Sequence, residues 1–264
     1  MPVISICSPK GGVGKTTLAS NLSYIFSQSG TKVMAVDMDP QNALRLYFGV
    51  SLADEGGFIA SLDSQAPWLN SALNVGRNLY VLPFGKSTYE MRRNLDQIFI
   101  NEPDYLKTSQ SAIFNAPDLL VIIDFPPGYS EALKAAACIT DLYVIPLNAD
   151  AASVSLLSQI KDGDLFENGE SANKYCIVLN QVDNRVKINR EIQDFARSNF
   201  QDKLAGTVHL DTSVTEAAAL QVPISGFNPS SAAAFDIGML ARRLGTMLGF
   251  TVNEDTMIIS QGQD

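Results

Sequence analysis

Side chains that commonly bind metals or form disulfides are scarce in this sequence. It contains three cysteines, Cys7, Cys138 and Cys176, and a single histidine, His209. The cysteine spacing fits neither a disulfide framework nor a zinc site. Each cysteine stands among apolar neighbours, so we expect all three to pack in the core. Such cysteine usage favours a reducing cytosol.

The sequence also lacks an excess of positive charge and any long apolar run. It has 19 Lys and Arg against 28 Asp and Glu, for a net charge of −9. An acidic total disfavours the long-range attraction to phosphate backbones that nucleic-acid binders show, although a local basic patch could survive it. Residues 1–7 contain neither a basic leader nor an apolar stretch long enough for a signal peptide or membrane span. We therefore expect a soluble, cytoplasmic chain.

Apolar, β-branched runs alternate with helical patterns along the chain. The runs cover residues 3–7, 32–37, 79–82, 119–124, 142–147 and 175–179. This alternation predicts βαβ units in an α/β fold, with a mostly parallel sheet between two layers of helices. We expect one domain over residues 1–250 and a mobile, acidic tail over 251–264. Within the domain, short helices and loops are expected over 53–76 and a helix over 231–248.

A glycine-rich turn follows the first predicted strand and opens a helix expected to run to about Ser29. Its backbone N–H groups and the helix N-terminus would face phosphates. Lys15 would bridge the β- and γ-phosphates, the Thr16 hydroxyl would ligate Mg²⁺, and Thr17 would reach an α-phosphate oxygen. The alternative is a plain glycine-rich turn with exposed lysines. The turn consists of Lys10, Gly11, Gly12, Val13, Gly14, Lys15, Thr16 and Thr17.

The strict P-loop pattern starts with glycine, whereas this sequence has Pro9 at the start of the loop, followed by Lys10. The variant K-G-G-V-G-K-T-T resembles the deviant Walker A motif of the MinD/ParA family of P-loop ATPases. In that family the first lysine crosses to the partner subunit's nucleotide and stabilises charge on the transferring phosphoryl group. The resemblance implies this role for Lys10, a homodimer in the ATP state, cycling between ATP and ADP, and slow, partner-stimulated hydrolysis.

Two strand ends resemble the switch sequences of the same family. Residues 37–41, D-M-D-P-Q, resemble switch I, in which Asp39 would orient the attacking water and Asp37 would support Mg²⁺ through its water shell. A carboxylate so placed can hold a nucleophile in line with the γ-phosphate. The alternative is a turn that opens a helix. Residues 124–128, D-F-P-P-G, resemble Walker B and switch II, in which Asp124 would hold a Mg²⁺-bound water and the Gly128 N–H would sense the γ-phosphate.

A third group of residues resembles the family's adenine site. Asn180 ends a predicted strand, and its amide could pair with the N6 and N7 edge of adenine; alternatively, it only makes its own turn. Residues 207–211 resemble the loop over the base, which makes Leu210 and Asp211 candidate contacts. Gln181 stands where a guanine-reading N-K-x-D motif would have lysine. We expect His209 to pack or hydrogen-bond rather than catalyse.

Short stretches at 42–50 and 81–85 resemble the BcsQ branch, which is associated with bacterial cellulose synthesis. This resemblance implies a role in assembly or polar localisation of the cellulose synthase complex, at the inner-membrane face and through protein partners. Residues 252–264 contain no lysine or arginine, so direct membrane insertion is not expected. The alternative is a ParA-type partitioning ATPase that binds non-specific DNA through Arg242 and Arg243 or through residues 185–190. A metabolic P-loop ligase or an iron-protein reductase is a third alternative, but the reductase would need paired cluster cysteines that the sequence lacks.

Overall fold

A computed structural model describes residues 1–62, 64, 66–162 and 174–252. Among these residues, eight strands form one sheet with the order β3-β4-β2-β5-β1-β6-β7-β8. Neighbouring strands run parallel except for β3, which is antiparallel to β4 at one edge. The strands are β1 Val3–Ile6, β2 Lys32–Asp37, β3 Leu73–Gly76, β4 Leu79–Leu82, β5 Leu119–Asp124, β6 Leu142–Asn148, β7 Tyr175–Val182 and β8 Leu204–His209.

Helices cover both faces of this sheet. The α-helices are α1 Lys15–Gln28, α2 Tyr89–Asn101, α3 Tyr105–Thr108, α4 Ser111–Phe114, α5 Glu131–Ala135, α6 Ala151–Asp162, α7 Lys187–Asn199, α8 Thr212–Ala219, α9 Ile224–Phe227 and α10 Ala232–Met247. Shorter 3₁₀ helices span Leu44–Phe48, Phe58–Ser61, Trp68–Ser71 and Ala136–Cys138. The helix predicted over 231–248 is therefore confirmed, as are the short helices of the 53–76 segment.

Two apolar layers hold the helices against the sheet. Alternate residues of β5 point to opposite faces, so that Val121 and Ile123 join one layer with α2, α5 and α7, while Leu120 and Ile122 join the other with α1 and α10. Both faces are buried, which is why the central strands have continuous apolar sequences. The predicted α/β architecture with a mostly parallel sheet is confirmed.

The sequence missed both edge strands. Strand β3 alternates half-buried and exposed residues and contains glycine, and β8 contains Gly206 and Thr207 in its middle. Neither has the apolar continuity of a central strand. As a consequence, the predicted loop over residues 207–211 is wrong in its first half, since residues 207–209 form the end of β8.

The prediction for the cysteines was right for Cys7 and Cys176 and wrong for Cys138. Cys7 directly follows β1, Cys176 lies on β7, and both are fully buried. Cys138 is exposed because it ends a short 3₁₀ helix that packs only Ala136 inward. An apolar sequence neighbourhood does not fix the side of such a short helix that meets solvent.

The packed chain extends slightly beyond the predicted domain end at residue 250. Val252 is only 7% exposed, and its side chain lies against α10 beside Gly245. The predicted tail, apart from residues 251 and 252, lies outside the described residues. In the part of the chain that is described, no helix has the length and apolar character needed to cross a bilayer.

Candidate nucleotide site

The glycine-rich turn lies between β1 and α1, at the carboxyl edge of the sheet. Gly12 and Gly14 adopt left-handed backbone conformations with φ of 72° and 87°, which glycine adopts without steric cost. Gly14 is the N-cap of α1, and no side chain caps the helix there. The first amides of α1 are therefore left for a ligand, and an anion is the ligand that suits a helix N-terminus.

The end of β7 fastens this loop from outside. The Asn180 Nδ2 donates to the Val13 carbonyl at 2.8 Å, and the Gln181 Nε2 donates to the Gly12 carbonyl at 3.1 Å. A Cβ atom at Gly14 would lie 2.2 Å from Asn180 Nδ2. This role of Gln181 in holding the loop was not predicted, because nothing in a single sequence shows that two segments 169 residues apart make contact.

The two lysines of the loop have different surroundings. Lys15 is 7% exposed, and its Nζ lies 3.5 Å from the Lys10 carbonyl oxygen. Burial lowers the pKa of Lys15, against the opposing pull of Asp124 and Asp39. The Lys10 ammonium instead forms an ion pair with Asp150 of the same chain. Burial raises the pKa of Asp150, but hydrogen bonds from Lys10 and Ser153 outweigh this and leave it lowered.

Two carboxylates meet at the centre of the site because β2 and β5 are parallel neighbours. Asp37 and Asp124 are register partners at the ends of these strands, and both are at most 1% exposed. Burial and then the charge of Asp124 raise the pKa of Asp37 well above its ordinary value. Burial also raises the pKa of Asp124 to about 7, although a hydrogen bond from Thr16 and the charge of Lys15 oppose the shift.

The donor set around Asp124 fits a magnesium ion. The Thr16 hydroxyl donates to Asp124 Oδ2 at 2.6 Å, while Asp124 Oδ1 is buried without a hydrogen-bond partner. Among the described residues there is no cluster of three or more His, Cys, Asp or Glu that could hold a metal by itself. Mg²⁺ is commonly held by one or two carboxylates together with substrate phosphates and waters. Thr16, Asp37 and Asp124 therefore suit a metal that arrives with a nucleotide.

The switch I candidates form a tight turn. The two Asp37 oxygens accept hydrogen bonds from the backbone N–H groups of Asp39 and Leu44, each at 3.0 Å. Asp39 is half-buried at the same edge. In switch II, the Gly128 N–H donates to the Ser8 carbonyl at 3.0 Å. The amide that was predicted to sense a γ-phosphate is thus bound to the loop in this structure.

A cavity of about 290 Å³ adjoins the loop on the side of α8 and α10. Its lining includes Thr17, Tyr47, Asn180, His209 and Leu210. Of the predicted base contacts, Asn180 and Leu210 line the cavity directly. Asp211 also lines it, but its carboxylate caps α8 by accepting from the Ser213 N–H at 2.9 Å.

His209 hydrogen-bonds as expected. Its Nδ1 lies 2.7 Å from Asp236 Oδ2, and its Nε2 lies 2.8 Å from Asn184 Nδ2. These contacts join the end of β8 to α10 and to the loop before α7. The imidazole therefore acts as a structural link at the cavity wall.

This combination of a P-loop, paired carboxylates and an adjoining base-sized cavity is typical of nucleotide-binding proteins. Comparison with known families gives the specific assignment. The family model described as cellulose biosynthesis protein BcsQ matches residues 1–244. The chain belongs to the BcsQ family.

Individual relatives of this BcsQ-family chain are distant. The cellulose biosynthesis protein BcsQ of Escherichia coli K12 is 24% identical over 243 residues, covering 91% of this chain and 93% of that protein. The virulence plasmid ParA family protein pGP5-D of Chlamydia psittaci is 27% identical over 252 residues, covering 94% and 96%. The structure of MinD with Mg-ADP from Pyrococcus horikoshii superposes with a TM-score of 0.73 at 23% identity, covering 94% and 97%. These matches confirm the MinD/ParA resemblance and the P-loop ATPase fold.

We predict that Gly14→Ala strongly weakens nucleotide binding by the BcsQ-family chain. The new Cβ would displace the Asn180 side chain and distort the phosphate loop. Gly30→Ala is the matched control, because Gly30 has a similar φ of 92° but no neighbour within 4 Å. Both variants should lose about 1–2 kcal/mol of stability from the left-handed backbone. Equal ATP affinities in titration calorimetry would contradict the prediction.

A second prediction concerns the pH dependence of folding without nucleotide or metal. Because the pKa of Asp124 is about 7 in the folded chain and about 3.9 when unfolded, the folded state holds the extra proton between these values. The free energy of unfolding should therefore fall as the pH rises through this window, and Asp37, whose pKa is also raised, changes it in the same direction.

Asp124→Asn has no such proton to release, so its unfolding free energy should decline less than that of the wild type. The measurement is denaturant unfolding with a chelator from about pH 5 to about pH 8. Asp202→Asn, at an exposed carboxylate, is the control and should follow the wild type. Parallel curves for the wild type and Asp124→Asn would show that the buried carboxyl is already ionised.

Proposed function

We propose that this chain is an ATPase switch that forms a homodimer when it binds ATP and separates after hydrolysis. The position of Lys10 is the observation that carries the proposal. It lies on the rim of the phosphate loop, its side chain is 31% exposed, and an ion pair with Asp150 holds it. Lys15, by contrast, is buried in the loop. One chain thus offers an internal lysine for its own nucleotide and a rim lysine for a second copy.

The remaining site residues provide binding and orientation. The backbone of residues 11–14 and the start of α1 would bind the phosphates, with Lys15 at the β- and γ-phosphates and Thr17 at the α-phosphate. Thr16, Asp37 and Asp124 would hold Mg²⁺, which supplies charge neutralisation at the phosphates. Asp39 would orient the attacking water. Such positioning and electrostatic stabilisation make up most of phosphoryl-transfer catalysis.

The geometry of Asn180 supports adenine as the base. One hydrogen of its Nδ2 is donated to the Val13 carbonyl, which leaves the second Nδ2 hydrogen and the carbonyl oxygen Oδ1 for a ligand. Oδ1 can accept a hydrogen bond from the 6-amino group of adenine, whereas it would repel the O6 acceptor of guanine. A bidentate contact to adenine would use the second Nδ2 hydrogen as the donor to N7 and would leave the bond to Val13 in place.

In this structure the Lys10 side chain contacts a residue of its own chain, Asp150. To reach a partner's nucleotide, its ammonium must leave Asp150. The contact is partly exposed, with 31% and 42% of the two side chains accessible, and partly exposed ion pairs contribute little net stability. The charge of a second triphosphate would therefore be sufficient to draw the lysine away.

We expect Asp39→Ala to be a stable dimer with ATP and Mg²⁺, because hydrolysis stalls while binding persists. Adding Lys10→Ala to this variant should restore the monomer. Adding Lys86→Ala should not, since Lys86 is an exposed lysine paired with Glu55 outside the site. Gel filtration with light scattering measures the mass. A monomeric Asp39→Ala chain at saturating ATP would overturn the dimer proposal.

Family membership supports a role with the cellulose synthesis and secretion complex at the cytoplasmic face of the inner membrane. We propose that the ATP-bound dimer reaches this complex through protein partners. In cells that make cellulose, a tagged Asp39→Ala chain should co-purify with synthase subunits, and the Lys10→Ala chain should not. Equal recovery of both chains would show that association with the synthase subunits does not depend on the ATP-dependent dimer.

The alternative of DNA partitioning is favoured by the 27% identity to a plasmid ParA family protein. The charges oppose it. Arg185 pairs with Asp183 at 2.8 Å, Lys187 pairs with Glu191 at 3.4 Å, and Arg190 donates to a backbone carbonyl. Two of the three basic side chains in this set are thus paired with carboxylates. ATP-dependent, salt-sensitive retention of duplex DNA would support partitioning, and its absence would eliminate it.

A further inference from the structure

Tyr47 connects two parts of the site that were assigned separately. It lies in the 3₁₀ helix Leu44–Phe48, ten residues after Asp37. Its hydroxyl oxygen is 3.2 Å from Thr17 Oγ1, and its side chain lines the base cavity. The segment that begins with the switch I turn therefore ends at the wall of the nucleoside site.

The hydrogen bond between Tyr47 and Thr17 suits an anionic ligand. Either hydroxyl can be the donor in the present structure. If the Tyr47 hydroxyl donates to Thr17 Oγ1, the Thr17 hydrogen is free to donate to a phosphate oxygen. Bonds in such a chain polarise and strengthen one another. An α-phosphate beside Thr17 would therefore favour the arrangement in which Tyr47 donates to Thr17 and Thr17 donates to the phosphate.

The segment that carries Tyr47 has unused hydrogen-bonding capacity. Among the described residues, Asn42 Oδ1 and Arg45 Nε are buried without a partner. Asn42 also has a left-handed backbone, with φ of 53°. At the start of the segment the Leu44 N–H is fixed by Asp37. Buried groups without partners are costly, so a rearrangement that satisfies them would be favourable.

We propose that Tyr47 is a nucleoside-positioning residue, which orients the Thr17 hydroxyl toward the α-phosphate and forms one wall of the base site. The inference rests on the proposed function, since the ligand is an adenine nucleotide. The chain segment between Asp37 and Tyr47 connects the base site to the switch I turn, so that occupancy of one can affect the other. Two effects are separable: the hydroxyl acts on the α-phosphate, and the ring acts on the nucleoside.

The test compares Tyr47→Phe and Tyr47→Leu in titrations with ATP and with inorganic tripolyphosphate, which lacks the nucleoside. Tyr47→Phe should weaken both ligands by about three- to tenfold through Thr17. Tyr47→Leu, which also loses the ring, should weaken ATP by about a further tenfold but tripolyphosphate no further. Tyr89→Phe, at a tyrosine 71% exposed on α2, is the matched control and should bind like the wild type.

Steady-state hydrolysis distinguishes positioning from a merely structural role. Tyr47→Phe should raise KM for ATP and leave kcat within about twofold, because the hydroxyl acts on binding. Damage to folding would lower kcat through the active fraction and leave KM unchanged. Thermal unfolding of each variant confirms that it is folded, and if Tyr47→Leu fails to fold, the two titrations of Tyr47→Phe decide.

The outcomes separate the inference from the function on which it rests. A wild-type chain that binds ATP, with both Tyr47 variants binding equally well, overturns the role of Tyr47 alone. Equal further weakening of ATP and tripolyphosphate in Tyr47→Leu overturns the nucleoside contact. A wild-type chain that binds neither ligand overturns the proposed function and this inference with it.

Discussion

The alignment of β2 with β5 is the constraint on which the site depends. Their parallel register puts Asp37 and Asp124 side by side, where both are buried. Two carboxyl groups in an apolar setting are unfavourable as a pair of anions, and burial raises the pKa of each. The fold tolerates them because Thr16, Lys15 and the switch I amides contribute hydrogen bonds and positive charge. A divalent cation would complete this compensation.

The phosphate loop is held by its own backbone conformation and by contacts from the end of β7. Gly12 and Gly14 adopt left-handed backbone conformations, and two amide side chains at the end of β7 donate to carbonyls of the loop. The cavity lies directly beside these contacts, and Asn180 both holds the loop and lines the cavity. The loop and the proposed base site are therefore joined by a single side chain.

Charge distribution bears on the possible partners. The Lys10 ammonium at the nucleotide rim is paired with Asp150, and two of the basic residues near α7 are likewise paired with carboxylates. What distinguishes Lys10 is its place beside the phosphate loop, and the proposed dimer rests on that position. The BcsQ family assignment supports the proposed cellular setting, and the site geometry supports the chemistry proposed there.

The sequence alone determined the central strands, α1 and the identity of the phosphate loop and switch motifs, because these depend on local patterns of apolar residues, glycines and strand-end carboxylates. Only the tertiary structure decided the edge strands β3 and β8, the exposure of Cys138, and the pairings of Lys10 with Asp150, Gln181 with Gly12 and Tyr47 with Thr17. Each of these is a contact or an exposure set by how distant segments pack. The strand order of the sheet brings such segments together, and local sequence patterns carry no record of it.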